Sequence, residues 1–144
     1  MDEQKLLERY RLQCLAVRML GQASTDMAAE LKDPGEVGIS KQERYLRNQA
    51  AADKADAERW LNSKDDTAPG FNFILCVEMV GECLGLKDMP LPEMADRVRR
   101  AVMMAPDRMA QSLNNLHWNM VDDTLRTRRP SHEKGMEPTP ARRA

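Results

Sequence analysis

Residues 70 to 86, GFNFILCVEMVGECLGL, form the most apolar run in a chain otherwise dense in charge. A run of this kind must leave water, so the rest of the sequence has to supply its cover. A bilayer cannot. Seventeen residues are at the lower limit of a span, and Asn72, Glu78 and Glu82 would lie in the hydrocarbon. The run therefore reads as the central helix of a water-exposed fold. Phe73, Val77, Val80 and Leu84 make its buried stripe, widened by Ile74, Cys76, Met79 and Cys83. Gly85 is placed to end it in a left-handed turn with Leu86 as the contact beyond.

The covering segments are helical. Met occurs 11 times while Phe, Tyr and Trp make up only 4% of the chain, and no segment alternates as a strand does. Residues 3 to 32 project Leu6, Leu7, Tyr10, Cys14, Val17, Leu20, Met27 and Leu31 onto one face. Leu12, Leu15 and Met19 fall on nearly the opposite side, so this helix needs two partners, within its own domain or in a second copy. Gly21, at mid-helix, suits a close crossing or a break. DPGEVGIS, residues 33 to 40, is a loop, and Ser40 with Glu43 forms a capping box for a second helix to about Ser63. Its inner face is Leu46, Ala50, Ala57, Trp60 and Leu61. After the break KDDTAPG, where Asp66 or Thr67 can cap the apolar run, Pro92 opens a helix to about Ala105 that buries Met94, Val98, Ala101 and Ala105. Pro106 opens a last one to about Arg128, with Met109, Leu113, Leu116, Met120 and Leu125 inward. The expectation is an all-α bundle of about five helices: one domain over residues 1 to 129, then a flexible, basic, proline-containing tail over 130 to 144.

Chemistry is hard to place on this pattern. Cys76 and Cys83 share a helical face but stand about 10 Å apart along the axis, too far for two thiolates each about 2.3 Å from one zinc ion. Cys14 makes an odd third, no disulfide framework emerges, and no secretory leader is legible, which points to the cytoplasm. No base pairs with a cysteine, Glu78 and Glu82 read as a wetted helix edge, and the glycines lack the spacing of a phosphate loop. The chain is read as non-enzymatic, with no catalytic residue, cofactor or metal ligand.

Binding is easier to place. The net charge is only −1, with a pI near 6.1, but residues 1 to 69 hold 11 Lys or Arg against 13 Asp or Glu, whereas residues 87 to 144 hold 11 against 8. Arg97, Arg99 and Arg100 cluster on the outward side of the helix opened by Pro92, and Arg126, Arg128 and Arg129 lead into the tail. A buried helix ending in Leu-Gly-Leu, a break, then a helix bearing arginines is the layout of a helix-turn-helix-like pair, although KDMPLP lengthens the turn. The order WLNS (60 to 63), FNF (71 to 73), Cys76, LGL (84 to 86) and RVRR (97 to 100) resembles a helical box in small phage and prophage regulatory proteins. The resemblance covers roughly residues 57 to 104 and implies a DNA-binding regulator. Arginine forks suit that role because they meet guanine edges or phosphate oxygens with two hydrogen bonds. The alternative is a protein-interaction module, a phage assembly factor or an inhibitor of a host protein. It would act through Leu12, Leu15, Met19, Met103, Met104 and Trp118, with a homodimer as one form of that contact.

Overall fold

Helix α1, Glu3–Ala28, begins where Asp2 Oδ1 accepts from the backbone N–H of Gln4 (2.7 Å) and of Lys5 (3.2 Å). The computed structural model describes residues 2–64, 70–86 and 88–127, with residues 124–127 described by their backbone alone. Among these it has α1, α2 (Lys41–Leu61), α3 (Phe73–Val80), α4 (Leu91–Met104) and α5 (Pro106–Thr127), and no strand. The all-α expectation holds, with five helices among the described residues. The expected tail lies outside them.

α1 is the hub and packs against all four other helices, most extensively α5. The reason lies at Gly21, which is buried: a Cβ there would stand 3.0 Å from Asn114 Oδ1 and 3.5 Å from Leu113 Cβ. The missing side chain permits the close crossing, and the helix does not break. Tyr10 Oη donates to Met120 O at 2.6 Å and Gln13 Nε2 to Met79 O at 3.2 Å, tying α1 to α5 and α3. Ala16, Val17, Leu20 and Ala23 face the core. Among the described residues Phe73, Leu20, Leu61 and Leu113 are the largest fully buried side chains, each contributing about 1.5 to 3 kcal/mol by leaving water.

α1 stops four residues before the expected end. Ala29 turns extended, Lys54 Nζ donates to its carbonyl at 2.9 Å, and Asp33 Oδ1 accepts from Gly35 N at 2.8 Å. Leu31 is therefore exposed, as is Leu6 at the other end. The same shortening corrects the expected inner face of α2. Ala57 and Leu61 are buried, but Leu46 is 52% exposed because α1 no longer runs alongside it. Ser40 Oγ accepts from Glu43 N at 3.0 Å, as a cap should, while the Glu43 carboxylate accepts from Arg47 Nε at 3.0 Å. Arg47 also reaches Asp33 O and Glu36, clasping the loop onto α2.

The apolar run folds as α3, capped by Asn72, whose Oδ1 accepts from Leu75 N at 2.8 Å. The expected caps, Asp66 and Thr67, lie outside the described residues. Phe73, Ile74, Cys76, Val77 and Val80 are buried. Beyond α3 the chain closes at Gly85, φ +75°, with Leu86 N donating to Gly81 O (2.8 Å) and Gly85 N to Glu82 O (3.2 Å). This pair of bonds is a Schellman motif. Leu86 packs on the core, and Cys83, expected inside, is exposed because it sits in this closing turn. Residues 81 to 90 separate α3 from α4, far more than the three or four of a helix-turn-helix.

Candidate functional site

α4 starts at Leu91 with Pro92 in its first turn and buries Ala95, Val98 and Val102. Val102 is more central than expected, and Met94, Ala101 and Ala105 are only half-buried. The inward stripe fixes the rotation of the helix. Glu93, Arg97, Arg100 and Met104, successive at i+4, i+3 and i+4, form its solvent face, and all four are exposed.

Arg99 does not share that face, which corrects the expected cluster of three. Its side chain is only 14% exposed. Nε donates to Leu61 O at 2.6 Å, one terminal nitrogen to Ser63 O at 3.3 Å and the other to Asp96 Oδ1 at 2.7 Å. The guanidinium carbon lies 5.0 Å from the centroid of the buried Phe73 ring. Trp60 meets the same ring edge-on, centroids 5.5 Å apart, and donates its indole N–H to Phe71 O at 3.2 Å. Arg99 thus satisfies the carbonyls where α2 ends, and it closes one side of the core. No sequence signal reveals this, since its backbone partners are 36 and 38 residues away.

Arg97 and Arg100 form no ion pair among the described residues. Arg126 lies in the last turn of α5, which places it on a described helix without describing its side chain; Arg128 and Arg129 lie outside the described residues. The described residues therefore do not bring the six arginines together: two share the face of α4, Arg99 is structural, and three belong to or follow the end of α5 in sequence.

The apolar candidates also divide. Leu12 and Leu15 are exposed on α1, while Met19 is half-buried beside the core. Met103 is at the margin of exposure; Met104, at 78%, stands beside Arg97 and Arg100. Trp118 is 67% exposed on α5, its ring 5.8 Å from that of His117. Met19 lines a groove of about 350 Å³ between α1 and α2 with Ala23, Ala57 and Trp60, a feature the sequence reading missed.

Among the described residues no three His, Cys, Asp or Glu side chains are grouped to hold a metal, and no helix is long and apolar enough to cross a membrane. Burial pushes the Cys76 thiol up to about 12, which removes its nucleophilic form at neutral pH. Burial likewise raises Cys14 and Cys83. Comparison with known proteins finds no match among family models, curated proteins or solved structures.

Proposed function

We propose that this chain is a small DNA-binding regulator of phage or prophage type that presents the outer face of α4 to the duplex. The observation that carries the reading is the division of labour among the arginines of α4. Arg99 ties the helix to the end of α2 and to Phe73, while Arg97 and Arg100, three residues apart, stay exposed with no ion pair among the described residues. A helix held at one side by several bonds offers its opposite cations in a fixed orientation, which lowers the ordering cost of binding. Arg126, Arg128 and Arg129 would add phosphate contacts. The ten-residue connection before α4 makes this a departure from a standard helix-turn-helix, so phosphate contact is a larger part of the mechanism than base reading.

Labelled mixed-sequence duplexes, titrated with the full chain and followed by anisotropy at about 50 and 200 mM salt, test the reading. Five phosphate contacts give a log-log salt slope of about −4.5 at most, and Arg97→Ala with Arg100→Ala reduces its magnitude by about 2. Absence of binding at the lower salt refutes the reading. Undiminished DNA retention by the folded double variant removes α4 from the mechanism.

One observation favours a second reading, a non-enzymatic protein-interaction module. Leu12, Leu15, Met104 and Trp118 all stand in solvent, and large apolar side chains of this kind are the usual anchors of an interface. Leu12→Glu with Leu15→Glu is the matching test, since neither residue is needed by the core. Unchanged sedimentation and partner capture by that folded variant removes α1 from such an interface.

A further inference from the structure

The groove between α1 and α2 has an apolar floor and an acidic rim. Met19, Ala23, Ala57 and Trp60 make the floor, and Asp26, Asp53 and Asp56 stand along the edges. Asp56 pairs with Arg59 at 2.9 Å. Asp26 and Asp53 do not pair with any cation among the described residues: Asp26 accepts from Gln22 Nε2 at 3.0 Å, Asp53 from Gln49 Nε2 at 2.9 Å. The placement of Asp26 runs against local electrostatics. Asp26 sits in the last turn of α1, where carbonyl dipoles disfavour a negative charge and where no basic residue compensates. Burial and the nearby Asp53 both hold its carboxyl above the ordinary range.

We infer that this groove is the docking site for a basic amphipathic segment of a partner protein, one that inserts an apolar side chain between Met19 and Trp60 and sets Lys or Arg against Asp26 and Asp53. The charge of the rim selects the occupant, because carboxylates facing one another across an apolar floor repel nucleic acid and anionic lipid but attract a cationic chain. The floor supplies what a salt-dependent charge contact lacks. Trp and Met are the side chains that make a shallow groove adhesive and adaptable, and its open volume of about 350 Å³ leaves room for an apolar side chain to lie against them. The site lies on α1 and α2, whereas the arginine face lies on α4, so the inference does not depend on the nucleic-acid reading.

The test is a titration of the full-length, ¹⁵N-labelled chain with an amphipathic Lys-Leu peptide, followed by amide and indole shifts. Two control peptides have every Lys replaced by Glu, or every Leu replaced by Ser. The expected result is saturable binding of the Lys-Leu peptide alone, with shifts at Ala23, Ala57 and the Trp60 indole and none at Trp118. Asp26→Asn with Asp53→Asn, which removes both charges but keeps one acceptor oxygen at each position for Gln22 and Gln49, is expected to weaken it about tenfold. No saturation, equal binding of the Lys-Ser peptide, shifts centred elsewhere, or an unchanged affinity of the double variant each overturns the inference. The groove signals are also followed as the protein is diluted and in a full-length variant with Arg128, Arg129, Arg142 and Arg143 changed to Ser. Movement of the signals on dilution assigns the groove to a second copy, and movement in the variant assigns it to the chain's own end; either result overturns the partner assignment.

Discussion

Replacing Arg99 with Ala should destabilise the fold more than any other surface-proximal change in α4. The substitution removes two donors to backbone carbonyls, at 2.6 and 3.3 Å, together with the stack over Phe73 and the ion pair to Asp96. A hydrogen bond from a charged group contributes about 1.5 to 3 kcal/mol when its partner is shielded. Leu61 is fully buried and its carbonyl receives the shorter bond, so it takes most of that loss; Ser63 is half-exposed, and water can replace much of the second bond. The cation over a buried ring adds about 0.5 to 2 kcal/mol. The Asp96 pair adds little, since that carboxylate is 64% exposed. Together these give about 2 to 4 kcal/mol, and with a urea slope near 2 kcal/mol/M the midpoint falls by about 1 to 2 M. Arg99→Lys keeps the charge but loses the fork, and should recover about half. Arg100→Ala should stay within about 0.5 kcal/mol of the parent. Urea unfolding followed by circular dichroism measures all three. An Arg99→Ala midpoint within about 0.3 M of the parent would refute the claim that this side chain ties α4 to α2.

Gly85→Ala should cost about 1 to 2 kcal/mol from backbone strain alone, since the residue has φ +75° and its Cβ would meet open space; a neutral result in the same urea assay would show that the turn rearranges freely. Cys83 should react first with a thiol reagent, Cys14 more slowly, and Cys76 only on unfolding, as read by mass shift against time; early labelling of Cys76 would contradict its full burial. The raised Asp26 carboxyl contributes stability that is present at low pH and lost as pH rises upward from its ordinary value of 3.8. Asp26→Asn should therefore melt at or above the parent at pH 7 and lose that advantage near pH 3; a lower midpoint at pH 7 would mean that the carboxylate is already well satisfied there.

By itself the sequence determined the helices and most of their ends, because those are local properties. Ser40 two residues beyond Gly38, Pro92 and Pro106 at helix starts, and Gly85 followed by Leu86 each act on backbone groups within about a turn of themselves. The inward stripes of α3 and of α5 from Met109 to Met120 were legible for the same reason, since periodicity records which side needs cover; Leu125, the last expected member, lies outside the described side chains. What periodicity cannot record is whether cover arrives. Leu46 has the spacing of a core residue and is exposed because α1 ends at Ala28, and Cys83 follows the stripe of α3 but sits in the turn that closes it. Arg97, Arg99 and Arg100 look alike in sequence. Only the position of the end of α2, brought beside α4 by the packing of both around Phe73, turned Arg99 inward and left its two neighbours to solvent. The acidic groove is of the same kind: Asp26 and Asp53 are unremarkable on their own helices, and become a site because two helices distant in sequence share an interface.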